Sequence, residues 1–332
     1  MLKRIAQATS LGLIVGAMSI GAAQSADVTL HGASQFDEAH PFTRLMRKFE
    51  QLVPLYNAGA ETVEFVMHLN SELGLEKDYF NYMSQGISVD YAVASPAHMS
   101  TYSKMATLYD PPGLWRSALH MSQVIESGVL KPIEQDILKR ADVVILGYGG
   151  GATRHLIVNK PVSSMADIKG LSVRVQGAPI WTKAFQAAGM APTVIAYSEV
   201  YNGIQTGRIE AAENEANGIK QMKFYEVGEN IALTGHAMTV RPLCFANKSF
   251  KRLSANLQTA VMQAGKDAGV FGRIAETTDD AALLIKMEGE GKLKRIAFTE
   301  RAALSDSMAP AVEGYFAEQN ATDLFKAIRA VK

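Results

Sequence analysis

Hydrophobic positions along this chain switch repeatedly between a period of two and a period near 3.6, which predicts alternating strands and helices. Val28 to His31 begins a strand, and Ala39 to Val53 carries Phe42, Leu45, Met46, Phe49 and Val53 at helical spacing. Val63 to His68 is a second strand. Glu76 to Gly86 is a helix with Tyr79, Tyr82 and Met83 on one side, and Tyr91 to Ser95 is a third strand, cut by Pro96. Pro111-Pro112-Gly113 marks a loop before a helix over Leu119 to Leu130. Val143 to Leu146 leads into Gly147, Gly149, Gly150 and Gly151, a run that reads as a flexible crossover between lobes.

The pattern is densest after that. Leu171 to Val175 alternates as a strand, Gly177-Ala178-Pro179 breaks it, and Trp181 to Ala188 is helical with Trp181, Phe185 and Ala188 on one face. Ala191 to Ala196 is another short strand. Ser198 as N-cap and Glu199 beside the helix N-terminus then open a helix to about Gly207. Such a series with short links is an α/β lobe on a mostly parallel sheet. Arg174 sits at the carboxyl end of its strand, where open α/β sheets bind ligands. Ala237 to Ala246 is strand-like again. Ser254 caps a long helix with Leu257, Val261, Ala264, Ala268, Phe271 and Ile274 three or four apart, and Ala309 to Ala330 ends the chain as helix.

Residues 1 to 25 read as a secretory signal peptide. Lys3 and Arg4 form the positive end, Leu11 to Ile20 is an apolar stretch too short to span a bilayer comfortably, and Ala23-Gln24-Ser25 offers a cleavage site. The expected mature protein is exported to the periplasm. The whole chain has 33 basic and 33 acidic residues; without Lys3 and Arg4 the balance is 31 against 33, unlike the basic footprint of a nucleic-acid binder. The single Cys244 cannot form an intramolecular disulfide and reads as a core residue. About 305 mature residues suffice for two lobes, each with its own core.

The segments DIKGLSVRV, MAPTVIAYSEVYNGIQTGRIEAAEN and MKFYEVGENIALTGH closely resemble the solute-binding subunit of the tripartite ATP-independent periplasmic (TRAP) transporters, the dicarboxylate-binding-protein-like family. Weaker likeness extends through LGLEKDYFNYMSQGISVDYAVASPA and FANKSFKRLSANLQTAVMQAGKDA. One element departs, because Asn214-Glu215 stands where the family often has Asn-Pro. The resemblance implies the two-lobe α/β periplasmic solute-binding fold, with discontinuous lobes, a hinge and a long crossing helix. The lobes would be 27–151 with 240–279, and 152–239 with 280–332.

By the same resemblance, Arg174 is the arginine that clasps a ligand carboxylate. A guanidinium offers paired donors matching both carboxylate oxygens and keeps its charge. Strand alternation puts Ser172 and Arg174 on one face. Arg154 matches a second arginine that supports or contacts the ligand, its other reading being an ion pair with Glu213 or Glu215, and Glu213 counts among the candidate ligand-binding residues beside it. Asn214 matches a binding-site asparagine, and Tyr197 a position where an aromatic ring lines the site, with core packing as its alternative. Ser95 and His98 follow the Tyr91 strand where family positions face the cleft. Phe36, Trp115 and Trp181 are candidate walls that would serve equally as core. Glu72 and Glu76 lie near the cleft in a family motif, though a solvated helix start explains them as well.

Enzymatic signatures fail. Gly147 to Ala152 fits a loose dinucleotide fingerprint but is followed by a strand, and Ala264 to Asp267 lacks the Ser/Thr of a P-loop. There is no Gly-x-Ser-x-Gly elbow and no HExxH pair, and no cofactor or metal is implied. The expected protein is therefore a non-enzymatic solute receptor, monomeric, serving TRAP permease subunits. It would bind a small hydroxylated or aromatic monocarboxylate. The alternative is a periplasmic sensor presenting its bound form to a signalling kinase.

Overall fold

The computed structural model describes residues 26–332, so the expected signal peptide lies outside the described residues. The strands are β1 (Val28–Ala33), β2 (Val63–His68), β3 (Tyr91–Val93), β4 (Val143–Val158), β5 (Ser172–Val175), β6 (Ala191–Val194), β7 (Ala211–Asn214), β8 (Asn230–Ala246) and β9 (Lys294–Ile296). They form one sheet in the order β2-β1-β3-β8-β4-β7-β5-β6, with β9 also beside β8. β1 pairs with β2 and β3, and β5 with β6 and β7, in parallel. The pairings of β8 with β3 and of β4 with β7 and β8 are antiparallel. The expected parallel character therefore holds in the wings and gives way at the centre.

Two long antiparallel strands explain the two-lobe architecture. β8 pairs with β3 near Ala246, while its other end carries β9 at Asn230; β4 runs beside it throughout and reaches β7 at Val158. One large apolar cluster runs from Tyr79, Phe80 and Met121 through to Val173, Trp181 and Phe316, and two smaller ones flank it. Leu30, Leu45, Phe49, Tyr91, Leu243 and Val261 pack on one side of the molecule, and Ile157, Ile195, Ile204, Phe224, Ile231 and Leu284 on the other. One helix, Ala255–Gly289, contributes to both. Its 35 residues extend about 50 Å at 1.5 Å each. Ser254 caps it as expected, its hydroxyl accepting from the Leu257 N–H at 3.2 Å.

The glycine run is part of a paired strand. It lies inside β4, where pairing with β8 shifts register between Gly150 and Thr153. Gly150 and Gly151 have φ of 105° and 103°, a region costly for other residues, and they form this irregularity. Gly147 meets the long helix: a Cβ there would come within 2.2 Å of the Gly265 carbonyl oxygen. Backbone opposes backbone, so Gly147→Ala is expected to destabilise by about 1–3 kcal/mol or more, read as a lower urea midpoint.

Three other expectations need correction. Ser198 caps no helix, because Tyr197–Glu199 is a 3₁₀ turn and the helix proper is Val200–Gln205. The C-terminal helix is two, Arg301–Glu318 and Thr322–Ala330, broken where Asn320 takes φ 54°. The helix over Leu119 to Leu130 ends earlier, at Ser127, where Gly128 adopts a left-handed cap, and Lys131–Ala141 is a separate helix. No helix among the described residues is long and apolar enough to cross a membrane.

Candidate functional site

Carboxyl ends of the strands meet in a cleft between the lobes. Ser95 follows β3, Gln176 follows β5, and Asn214 ends β7, while Arg154 and Arg241 project from β4 and β8. All five line the same cavity together with Arg174, Tyr197, His98, Glu76, Glu215, Phe36, Phe42 and Gln35. The space within it is about 30 Å³, room for about two waters, so a larger ligand requires the walls to part. A larger hollow of about 740 Å³ lies along the long helix near Ile145 and Tyr148. Its buried charge, Arg273, is already spent on the Tyr148 carbonyl at 2.7 Å.

Arg174 has the feature that a carboxylate site demands. Its side chain is buried, its Nε donates to the Ile195 carbonyl at 3.0 Å, and neither terminal nitrogen has a partner among the described residues. The single Nε bond fixes the fork and leaves its paired donors open. The guanidinium carbon lies 5.5 Å from the centre of the Tyr197 ring. Burial lowers the Arg174 pKa, opposed by the Glu213 charge, but a guanidinium stays ionised.

Arg154 is engaged instead. Its Nε and one terminal nitrogen donate to the Glu213 carboxylate, and its other terminal nitrogen donates to Glu215 Oε2 at 2.6 Å. It also stands 5.6 Å from the Trp181 ring. Burial alone would raise the Glu213 carboxyl, but Arg154 and His236 hold it down at about 2. Glu213 is fully buried behind Arg154 and does not line the cavity, so it stands as a counter-ion.

Asn214 donates to the Tyr197 hydroxyl at 2.7 Å, and its side-chain oxygen accepts from the Glu215 N–H at 3.0 Å. Ser95 donates to the Gln176 side-chain oxygen at 3.2 Å, which spans the cleft. Glu76 is no solvated helix start: it is buried, accepts from the Ser95 N–H at 2.6 Å, and burial raises its pKa. Burial and the charges of Arg174 and Arg241 push His98 down to about 4, so its ring is neutral at pH 7.

The remaining candidates separate. Phe36 lines the cavity, stacked 3.7 Å from His40. Trp181 is buried 5.9 Å from Phe185, and Trp115 donates its ring N–H to the Tyr109 carbonyl at 3.0 Å; neither reaches the cavity. Glu72 pairs with His68 away from it. Arg241 and Gln176 went unforeseen. Gln176 continues the alternation of Ser172 and Arg174 and could have been found that way, whereas nothing in Arg241-Pro242 marks a ligand contact. Among the described residues, no group of three or more His, Cys, Asp or Glu could hold a metal ion.

Comparison with known proteins gives this geometry its context. The description of the bacterial extracellular solute-binding proteins, family 7, matches residues 33–319. A solute-binding protein of Sulfitobacter sp. (strain NAS-14.1) is 43% identical over 319 residues, covering 96% of both chains. A TRAP periplasmic solute-binding protein from Sulfitobacter sp. NAS-14.1, solved with bound α-D-taluronate, superposes with a TM-score of 0.88 at 43% identity, covering 91% of this chain and 97% of that one. Another from Roseobacter denitrificans OCh 114, solved with L-galactonate, has a TM-score of 0.81 at 25% identity, covering 92% and 100%. The chain therefore belongs to the bacterial extracellular solute-binding proteins of family 7, the receptors that bind small acids for TRAP transporters.

Proposed function

We propose that this chain captures a hydroxylated monocarboxylate of the hexuronate kind in the periplasm and delivers it to the membrane subunits of a TRAP permease. The observation that carries this reading is Arg174, a buried guanidinium that lines the cleft and whose terminal donors have no partner among the described residues. A carboxylate placed there gains two parallel charge-assisted bonds in a site shielded from water. Around it, Ser95, Gln176, Asn214 and His98 supply donors and acceptors suited to hydroxyl groups.

An aromatic tail finds little support, because both tryptophans are packed in the core and the rings that line the cavity, Phe36, Phe42 and Tyr197, are already engaged by His40, Arg241 and Asn214. The sugar acids bound by the two TRAP relatives point the same way. No observation favours the sensor alternative. Binding needs no covalent chemistry, and the working unit is a monomer. The lobes divide near 27–151 with 240–279 and 152–239 with 280–332, where β4, β8 and the long helix cross between them. Ligand contacts from both sides would stabilise the closed form.

A thermal-shift screen of hexuronates, aldonates and aromatic acids on the mature protein tests the reading. A true ligand at 100 times its Kd adds about 2.7 kcal/mol to stability. Hexuronates are expected to raise Tm while aromatic acids do not, and the reverse pattern would overturn the proposal. Small-angle scattering should also show a smaller radius of gyration at saturating uronate, and an unchanged profile would count against closure.

A further inference from the structure

The half of the cleft that faces Arg174 has a different electrostatic character, and from it we infer that the receptor selects acids with one carboxylate and rejects their dicarboxylate counterparts. This inference rests on the sugar-acid reading and narrows it: uronates enter, aldarates do not. It turns on Arg241, Glu76, Glu215 and Asp110.

Arg241 is buried on β8 and lines the cavity. One of its terminal nitrogens donates to the Val240 carbonyl at 3.0 Å and to Asp110 at 3.3 Å, and its guanidinium lies 5.3 Å from the Phe42 ring. Its Nε is buried with no partner among the described residues, as is the Gln176 Nε2 across the cleft. Such orphaned donors are costly unless a ligand completes them, and neutral hydroxyl oxygens are suitable acceptors. Unlike Arg174, Arg241 comes with its own counter-charge in Asp110.

Beside it, Glu76 uses its two oxygens on the Ser95 N–H and the Gln35 amide, each oxygen keeping a lone pair for a hydroxyl donor. Glu215 likewise faces the cavity while bound to Arg154. Arg154 is thus paired with Glu213 and Glu215, and Arg241 with Asp110, before any ligand enters, while Glu76 adds a further acidic group to the lining. One carboxylate is accommodated because Arg174 is locally free. A second would be desolvated against Glu76 and Glu215, and the remaining cavity cation, Arg241, already has its charge offset by Asp110, which disfavours the charged form. A vicinal pair of hydroxyls has no such difficulty, since it can accept from Arg241 and donate to Glu76.

Calorimetry on the mature protein at pH 7.5 tests this with two matched pairs, D-taluronate against D-talarate and D-galacturonate against galactarate. Within each pair C1 changes from the hemiacetal carbon of a ring to a second carboxylate, so L-galactonate, an open chain that differs from galactarate only at one terminal carbon, is the ring-free control and should also bind more tightly than galactarate. The expected result is that the aldarate binds at least about 100-fold more weakly than whichever uronate binds. Glu76→Gln should narrow that ratio by about 10-fold, because the neutral amide no longer repels the second charge. Glu76→Asp, which keeps the charge, should leave the discrimination in place. Comparable affinity for uronate and aldarate overturns the inference while leaving the sugar-acid reading standing. Failure of all four acids to bind overturns both. The wild-type ratio decides the claim even where Glu76→Gln does not fold.

Discussion

Arg174→Ala is expected to reduce hexuronate affinity by about 2–4 kcal/mol, a factor of about 30 to 1,000, while the empty protein unfolds at an unchanged or higher denaturant concentration. Removing one partner of a buried, hydrogen-bonded charge pair costs this much because the other charge stays buried without compensation. The empty protein does not suffer, since the terminal nitrogens of Arg174 have no partner among the described residues and their charge is already desolvated. Arg174→Lys should rescue little. Lysine keeps a charge but offers neither the bidentate fork nor the Nε donor that anchors it to the Ile195 carbonyl. Calorimetry for affinity and urea unfolding for stability separate the two effects.

Arg154 is expected to behave in the opposite way. Arg154→Met should destabilise the empty protein by about 3–5 kcal/mol, because it strands the Glu213 and Glu215 carboxylates in the interior. Uronate affinity should fall only as far as the loosened Glu215 and Asn214 lose their positions. The sign of its pH dependence is also fixed. Arg154 and His236 hold Glu213 at about 2, below its ordinary value, so this carboxylate contributes stability that is present above about pH 4.5. That contribution is lost as pH falls toward 2. In Arg154→Met the Glu213 pKa should rise, and acid unfolding should begin at higher pH. An Arg154→Met protein as stable as wild type in urea and in acid would show that the ion cluster holds nothing together.

Local periodicity revealed most individual elements, because each strand and helix must bury one face whatever its neighbours do. Arg174 was legible for the same reason: alternation in β5 and the break at Gly177 place it at a strand end. Architecture was less legible. Nothing in the composition of Val143–Val158 says that four glycines continue a strand, since Gly147 and Gly151 make room for a helix more than a hundred residues later and Gly149 and Gly150 for Leu45 and the Thr239 backbone. Family resemblance supplied the discontinuous lobes. It could not tell a free arginine from a paired one, and that difference separates Arg174 from Arg154. Burial decided the tryptophans, as a large aromatic that is 0% exposed, like Trp181, serves the core first. Arg241 carried no signal because its position depends on the β3–β8 pairing, which brings distant segments together.

A crystal structure of the mature protein grown with a hexuronate tests the central claim most directly. The account predicts the sugar acid between the lobes, its carboxylate oxygens each within about 3 Å of a terminal nitrogen of Arg174, with Arg154 still bound to Glu213 and Glu215. A carboxylate seated on Arg154 or Arg241, with Arg174 left unpaired, would contradict it.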